Sequence, residues 1–228
     1  MEHIDLIILV IANTGEGYYC DFINEYWAKF IKFLEKNGYN IKIFLLFGHG
    51  NNIKNINVDE KNLIIANHIQ ENFYPGILQK TIYGLDYINS NYNYKHIFRT
   101  NLSSFFILDE LIKINKNLPD LNVYAGVSTP TFVSGAGFWL SKDIVEYILN
   151  NRSNINFSVM DDVAIGELLK SFIKTPLPRY DVPPFSQFID IQSILPKLNN
   201  QYHIRVKSTN RNVDIVTMKN LTNHFYSI

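Results

Sequence analysis

Apolar runs that end in short polar turns recur along the first half of the chain. Residues 5–11, 41–47 and 63–66 show no alternation of polar and apolar positions, which is typical of strands covered on both faces of a sheet. Between the first two runs, residues 19–37 carry apolar side chains at three- and four-residue spacing before Gly38, which predicts an amphipathic helix. Strand, helix and strand in this order predict a βαβ unit of nucleotide-binding character and an α/β fold.

The same periodicities predict the remaining elements. The predicted helices are residues 75–89, 109–116, 142–149, 161–172 and 212–224, and the predicted strands are residues 96–98, 123–127 and 202–207. Ser141 stands where it could cap the helix that follows it. Four prolines between residues 176 and 184 predict an extended passage in which residues 179–181 are exposed. No repeat or linker interrupts the chain, so we expect a single domain of residues 1–228.

Charge and cysteine content exclude several classes of protein. The 21 basic and 21 acidic side chains cancel and the basic ones are not concentrated in any stretch, so the footprint of a nucleic-acid or anionic-membrane binder is missing. The single cysteine, Cys20, excludes an intramolecular disulfide and a cysteine-rich metal site, and it suits a reducing compartment. The apolar run at residues 4–11 is too short to span a bilayer, and we expect no membrane anchor. The expected partners are small or neutral molecules.

The turn after the predicted strand at residues 96–98 is the organising stretch of the sequence. Ligands of α/β sheets bind beyond the carboxyl ends of strands, so the polar residues of this turn are candidates for the mouth of a cleft. They are Arg99, Thr100, Asn101 and Ser103. A strand-ending turn in which Asn and Ser satisfy local backbone groups explains them equally well. Their neutral oxygens are weaker ligands for Mg²⁺ or Mn²⁺ than carboxylates are.

Two adjacent acids, Asp161 and Asp162, open the predicted helix at residues 161–172. Acids are favoured in the first turn of a helix, and this preference alone would explain one of the two. An ionised carboxylate at the mouth of a cleft could instead be the general base that takes a proton from an acceptor hydroxyl. On the motif alone, the structural interpretation is the favoured one.

Alternation places His203, Arg205 and Lys207 on one face of a predicted strand. This face could be a solvated edge, or it could be a cationic lining for a diphosphate, and the two interpretations have equal weight.

Gly135 and Gly137 could form a tight turn or allow a sugar to pass, and Trp139 is by default a core residue. No glycine-rich phosphate loop or dinucleotide fingerprint is present in the sequence.

Four motifs in a fixed order resemble the glycosyltransferase superfamily that contains the β1,3-galactosyltransferases and Fringe. Residues 74–81 resemble the family's Tyr followed by an apolar helix with a Lys-Thr pair. Residues 99–105 stand at the family's Lys-Thr-Asp-Asp-Asp-Val-Phe, and residues 133–141 at its Ser-Gly-x-Gly-Tyr-x-Leu-Ser. Residues 161–166 stand at its Glu/Asp-Asp-Val-x-x-Gly. Each motif is weak alone, but four in order across residues 63–207 are hard to obtain by chance.

The resemblance implies a GT-A fold, in which a Rossmann-like mixed central sheet is flanked by helices. It also implies that Asp162, with Asp161 beside it, is the catalytic residue. The expected donor-binding residues are Asn13, Thr14, Lys80, Arg99, Thr100, Asn101, Ser103, Arg205 and Lys207. The expected acceptor-binding residues are Gly135, Gly137 and Trp139.

One departure from the family pattern affects the cofactor. In the family an acidic triplet holds a divalent metal that bridges the donor diphosphate, and Asn101, Leu102 and Ser103 stand in its place here. A requirement for Mn²⁺ or Mg²⁺ is therefore open, with His203 and Asn101 as the possible ligands. Other GT-A enzymes without the acidic motif neutralise the diphosphate with Arg and Lys, a role that Arg205 and Lys207 could serve.

The function expected from the sequence is transfer of a hexose, with inversion, from a nucleotide-diphosphate sugar to a glycan hydroxyl, with UDP as the expected nucleotide. The alternative is a nucleotide-sugar- or glycan-binding protein that has lost turnover together with its metal carboxylates. An enzyme that forms the nucleotide-sugar is disfavoured, because no phosphate loop is visible. The composition, typical of an AT-rich genome, and the expected lack of an anchor indicate a microbial or giant-virus-like cytoplasmic enzyme.

Overall fold

The computed structural model describes residues 3–186 and 189–226. The strands, in chain order, are β1 (His3–Ile11), β2 (Ile41–Phe47), β3 (Leu63–Ile65), β4 (Asn93–Asn101), β5 (Ser104–Phe106), β6 (Tyr124–Ser128), β7 (Val133–Ser141), β8 (Lys174–Pro176), β9 (Tyr180–Asp181) and β10 (His203–Arg205). A seven-stranded sheet has the order β3-β2-β1-β4-β7-β6-β8, and a three-stranded sheet has the order β5-β10-β9. The strands from β3 to β4 run parallel and β7 runs antiparallel to β4, so the predicted mixed sheet is confirmed.

Helices cover both faces of the large sheet. They are α1 (Gly17–Phe22), α2 (Ala28–Lys36), α3 (Gly76–Asn91), α4 (Leu108–Asn117), α5 (Lys142–Asn150), α6 (Asp161–Leu168), α7 (Ile191–Ile194) and α8 (Arg211–Tyr226). A π-helical turn, Ile23–Trp27, joins α1 to α2, so the single helix predicted for residues 19–37 has a changed hydrogen-bonding register in its middle. Gly38 has a φ of +68°, a conformation that favours glycine, and it ends α2 where the sequence predicted.

The apolar run of β1 fails to alternate because both of its faces are buried. Leu6 and Ile8 pack into a core beneath α2 and α8, whereas Ile7 and Leu9 pack into a second core beneath α3, α5 and α6. All four side chains are fully buried. The central strand is therefore fixed from both sides, and its carboxyl end at Ile11 is held in a defined position.

The small sheet brings the end of the chain to the carboxyl end of β4. β10 pairs antiparallel with β5, and Arg205 lies opposite Ser104 in this pairing. β5 follows β4 after a two-residue turn, Leu102 and Ser103, and the Val206 N–H just after β10 donates a hydrogen bond of 2.8 Å to the Ser103 carbonyl oxygen. Long-range pairing of this kind is set by tertiary contacts and has no local signal.

Several local predictions were wrong. The Ser141 hydroxyl accepts a hydrogen bond of 2.8 Å from the Val123 N–H, so it does not cap α5. α6 ends at Leu168, and β10 is shorter than the predicted strand at residues 202–207. The Arg179 side chain, predicted to be exposed, is only 5% exposed and pairs with Asp181 at 2.7 Å. Within the described residues, no helix is long and apolar enough to cross a bilayer.

Candidate functional site

A cleft of about 470 Å³ opens beyond the carboxyl ends of β1 and β4. Its lining comes from the ends of β1 and β4, the start of β7, the loop before α3, the start of α6 and the segment from β10 to α8. The residues predicted for the site that line it are Asn13, Lys80, Arg99, Asn101, Ser103, Gly135, Asp161, Asp162, Arg205 and Lys207. The structure therefore brings most of the predicted site residues together in one cleft.

The cleft has two walls that belong to opposite faces of the large sheet. The cationic wall is formed by Arg205, Lys207 and Arg211, in a segment whose apolar neighbours pack into the core beneath α2 and α8. The acidic wall is formed by Asp161 and Asp162 at the start of α6, whose apolar residues pack into the opposite core. Groups that could stabilise a leaving anion and groups that could accept a proton thus face one cavity from different elements.

Arg99 lines the cleft, and each of its three guanidinium nitrogens contacts another residue of the protein. Its Nε donates to the Thr81 hydroxyl at 3.2 Å and its Nη1 donates to the Gly135 carbonyl oxygen. Its Nη2 lies 2.5 Å from Asp161 Oδ2, an ion pair that lacks the angle of a hydrogen bond. Because each nitrogen already has a partner, Arg99 fixes the start of α6 against β7, and we assign it a positioning role.

The two acids differ in environment. Burial raises the pKa of Asp161 above its ordinary value, and the Arg99 guanidinium opposes that rise. Asp162 Oδ2 accepts a hydrogen bond of 2.8 Å from the Gly135 N–H, and its Oδ1 accepts one of 3.0 Å from the Val163 N–H. A Cβ at Gly135 would lie 3.1 Å from Asp162 Oδ2, so glycine permits this close approach. The carboxylate of Asp162 is oriented by backbone donors and has no cationic partner within 4.0 Å among the described residues.

Glu71, which sequence reasoning missed, joins the ends of β1 and β2 to α3. Its carboxylate accepts hydrogen bonds from the Lys80 ammonium at 2.7 and 2.8 Å, from the Gly48 N–H at 2.6 Å and from the Asn51 and Asn13 side-chain amides at 2.7 and 3.2 Å. Lys80 is 1% exposed and also donates to the Ala12 carbonyl oxygen at 2.8 Å. Burial lowers the pKa of Lys80, and Glu71 opposes the shift. No periodicity or motif marks a loop glutamate of this kind.

The cationic wall contains the one arginine of the described residues that has no acidic partner within 4.0 Å. Of the chain's five arginines, Arg99, Arg152, Arg179 and Arg211 each lie within 4.0 Å of a carboxylate oxygen. Arg205 does not, and its buried Nε has no hydrogen-bond partner. A buried N–H donor without a partner is costly, so this part-buried side chain is suited to receive an anion from outside the chain.

Several cationic side chains lie close enough to Arg205 to repel one another, and this repulsion is seen in their pKa values. Burial lowers the pKa of Lys207, and Arg205 and Arg211 add to that shift by repulsion. Burial likewise lowers the pKa of Arg205, with Arg179 contributing. Arg211, which sequence reasoning also missed, donates from Nη1 to Asp214 at 2.8 Å. Its closeness in sequence to Arg205 and Lys207 was the signal that could have identified it.

Five predicted site residues do not line the cleft, and these assignments are corrected: Thr14, Thr100, Gly137, Trp139 and His203. Thr14 binds Asn51 and so fixes the neighbouring loop. Thr100 is fully buried and donates to the Ala136 carbonyl oxygen at 2.7 Å. Gly137 and Trp139 also lie in the interior, and neither can form an acceptor site in this position. A Cβ at Gly137 would lie 2.5 Å from the ring of Phe98, so the glycine serves packing.

The residues at the expected metal position do not fit a divalent ion. Asn101 Oδ1 already accepts hydrogen bonds from the N–H of Ser103 at 3.2 Å and from its hydroxyl at 2.9 Å. His203, the other possible ligand, is 1% exposed and does not line the cleft, with Nε2 2.9 Å from the Ser104 hydroxyl. Within residues 3–186 and 189–226, no group of three or more His, Cys, Asp or Glu side chains is arranged to hold a metal. We therefore derive no step through a metal ion.

Comparisons with known proteins place the fold in a defined class. The sequence family described as Galactosyltransferase matches residues 119–175, which include β6, β7, α5 and α6. A search of curated protein sequences finds no match. One solved structure that is similar to this chain is that of a glycosyltransferase involved in the glycosylation of the major capsid of PBCV-1. The two sequences are 11% identical, the TM-score is 0.53, and the alignment covers 94% of this chain and 98% of that one.

Two further solved structures are of the catalytic domain of Drosophila β1,4-galactosyltransferase 7. One is a complex with xylobiose, 9% identical with a TM-score of 0.47, and the other is a mutant in complex with manganese, UDP-Gal and xylobiose, 10% identical with the same TM-score. Each alignment covers 77% of this chain and 65% of the Drosophila chain, so the chain spans about two thirds of that domain. At this TM-score the likeness supports no residue-level argument.

The sheet order, the family match and the PBCV-1 structure confirm the predicted GT-A fold. The fold is one that glycosyltransferases have, and the activity of this chain is proposed below. Over residues 119–175 it is similar to the galactosyltransferases in particular.

Proposed function

We propose that the chain transfers a hexose from a nucleotide-diphosphate sugar to a glycan hydroxyl, with inversion and with UDP as the nucleotide. The observation that carries this proposal is the unpaired Arg205 guanidinium, which lines the same cleft as the Asp162 carboxylate. One group is suited to a leaving diphosphate and the other to an incoming hydroxyl. A lone Cys20 supports a reducing, cytoplasmic location as part of the proposal.

The donor diphosphate lies against the cationic wall in this proposal. Arg205 supplies the guanidinium geometry that matches phosphate oxygens, and Lys207 and Arg211 add charge. These side chains supply the positive charge that the residues at the expected metal position do not provide. Asn13 at the end of β1 meets the nucleoside, and Asn101 and Ser103 lie near the ribose and phosphate.

Asp162 acts as the general base. Its carboxylate takes the proton of the acceptor hydroxyl while the oxygen forms a bond to the anomeric carbon. The bond between that carbon and the diphosphate oxygen breaks on the opposite face, and the electron pair leaves with the nucleoside diphosphate. The cationic wall stabilises the charge that develops on the leaving oxygen. Asp161 and Arg99 hold the start of α6, and hence Asp162, in place.

The alternative is a binding protein that retains the donor without turnover. The family that the sequence resembles uses a metal ion, and within the described residues no group of side chains is arranged to hold one, which favours this alternative. The oriented carboxylate of Asp162 argues against it, because binding alone needs no such group.

The experiment that tests the proposal is incubation of the protein with UDP-galactose, UDP-glucose and UDP-N-acetylglucosamine, each with a panel of pyranoside acceptors. We expect UDP release and a product whose new linkage, read from the anomeric proton coupling in NMR, is inverted relative to the donor. Donor binding by calorimetry without UDP release or product would support the binding protein instead.

A further inference from the structure

We propose that Phe73 and Met160 form the acceptor platform, on which the apolar face of a pyranose ring packs while its hydroxyl is presented to Asp162. This inference rests on the proposed function, because it takes the acidic wall to be the acceptor side of the cleft. It assigns to the acceptor a carbohydrate ring with a continuous face of C–H groups.

The exposure of the lining side chains points to these two residues. Phe73 is 61% exposed and Met160 is 45% exposed, although both line the cleft. The other apolar lining residues that lie in the core, such as Phe22 and Leu102, are 1% and 4% exposed. A large apolar side chain left open to water inside a functional cleft commonly contacts a ligand.

The platform is held rigidly by its surroundings. Two residues that precede Phe73 anchor its segment: Glu71 accepts hydrogen bonds from Lys80, and Asn72 Oδ1 accepts one of 2.7 Å from the N–H of Gly76, which follows Phe73. The Phe73 ring meets the Tyr74 ring edge-on, with centroids 4.8 Å apart and an interplanar angle of 81°. A fixed aromatic ring loses little entropy when a ligand packs on it.

Met160 lies directly before the acids of the acidic wall. Its carbonyl oxygen accepts a hydrogen bond of 2.8 Å from the Ala164 N–H, which fixes it at the start of α6. Met160 and Phe73 line the same cleft as Asp161 and Asp162, so a ring that packs on Met160 lies at the start of α6, where the two acids are.

The chemistry of the surroundings favours a sugar over a lipid chain. A pyranose presents C–H groups on one face and hydroxyls around its rim, so it needs a small apolar surface bordered by polar groups. Asn72 and Glu71 border Phe73, and Asp162 follows Met160, which supplies that combination. A lipid chain would need a continuous apolar groove, whereas the remaining apolar lining is mostly buried.

The test uses saturation-transfer NMR with methyl α- and β-pyranosides of galactose, glucose, mannose and xylose, in the presence of UDP. We expect at least one pyranoside to receive saturation at the protons of one ring face. Phe73→Ala should abolish this transfer, and Phe73→Trp should retain it because the aromatic face is kept. Phe185→Ala is the matched control, since Phe185 is 84% exposed but lies outside the cleft lining. Met160→Ala should weaken the transfer less than Phe73→Ala.

Turnover separates this inference from the proposed function. For an accepted pyranoside, Phe73→Ala should raise the acceptor KM about tenfold and leave the Kd of UDP within about twofold. Unchanged saturation or unchanged acceptor KM in Phe73→Ala, or no pyranoside contact in the wild type, overturns the platform. Contact that depends on Phe73 in a protein without turnover would uphold the platform and overturn the proposed function.

Discussion

The arginines on the two sides of the cleft differ in whether they have partners within the protein. On the acidic side, Arg99 is 2% exposed and every one of its guanidinium nitrogens has a protein partner. On the cationic side, Arg205 is partly buried and its Nε has none. The first arginine is held by contacts within the protein, whereas the second has a donor that a ligand could use. The comparison shows that two arginines of one cleft can differ in their partners in a way that the sequence alone does not reveal.

The same contrast applies to the acids. Asp161 is paired with Arg99, and Asp162 is held by backbone N–H groups that leave its charge without a cationic partner among the described residues. Orientation without neutralisation is what a general base requires. In the proposed function, Asp161 therefore anchors the acidic wall and Asp162 carries the chemistry.

The largest expected effect is the loss of turnover in Asp162→Asn. The amide keeps the size of the side chain but cannot take the acceptor proton, so kcat should fall by about 10²- to 10⁴-fold. The Kd of UDP, measured by calorimetry, should stay the same because Asp162 is on the wall away from the diphosphate. Asp86→Asn, which changes an exposed acid outside the cleft lining, is the control. A fully active Asp162→Asn protein would remove the distinction between the two acids.

Breaking the ion pair between Lys80 and Glu71 should lower the free energy of unfolding. Lys80→Met leaves the Glu71 carboxylate part-buried without its cation, and removing one partner of a buried pair costs about 3–5 kcal/mol. Urea unfolding measures this loss in the free energy of unfolding.

The matched control for Lys80→Met is Lys61→Met, which removes a lysine 60% exposed in its pair with Glu35. This exposed pair is screened by water, so its loss should change stability little. Equal behaviour of the two variants would show that the Glu71–Lys80 pair does not support the strand ends.

The cationic wall should decide donor affinity. Arg205→Met removes the charge with little loss of apolar stem, and a hydrogen bond to a charged group contributes about 1.5–3 kcal/mol, so the Kd of UDP should rise about 10- to 100-fold. Arg152→Met removes an arginine 63% exposed and outside the cleft lining, and it should leave the Kd unchanged. An unchanged Kd of UDP in Arg205→Met would show that Arg205 does not bind the donor.

The smallest expected effect is a loss of stability in mild acid through His203. Burial lowers the pKa of His203 well below its ordinary value, and Arg179 and Arg205 add to the shift. Below about pH 6.5 the unfolded chain therefore binds a proton that the folded chain does not, so stability falls as pH falls, by at most about 1.4 kcal/mol per pH unit. Urea unfolding at pH 7.5 and 5.5 measures the difference. In His203→Gln the pH dependence should be weaker, and an unchanged slope would contradict this assignment.

The fold was predictable where burial dictates the pattern. The runs that became β1, β2 and β4 are apolar because helices cover both faces of the sheet, and Gly38 marks the end of α2 because its φ is positive. Boundaries were less predictable, since the hydrogen bond from Val123 to Ser141 and the early end of α6 depend on tertiary contacts. The pairing of β10 with β5 joins residues about a hundred positions apart and leaves no local trace.

For the candidate site, the sequence indicated which residues lie together but not which partners they have. Asp162 and Arg205, which the sequence predicted for the site, both line the cleft. The sequence could not distinguish the engaged Arg99 from a donor-contacting arginine, because that difference lies in its partners. It also missed Glu71, whose contacts come from three separate elements.

The central claim is that the cationic wall binds the nucleoside diphosphate in the role that a metal has in the family. Calorimetric titration of UDP into the wild type and into Arg205→Met, with excess EDTA and again with Mn²⁺, tests it most directly. We predict that the wild type binds UDP with the same Kd, within about twofold, in EDTA and in Mn²⁺, and that Arg205→Met binds at least tenfold more weakly in both. Binding by the wild type only when Mn²⁺ is present would contradict the account.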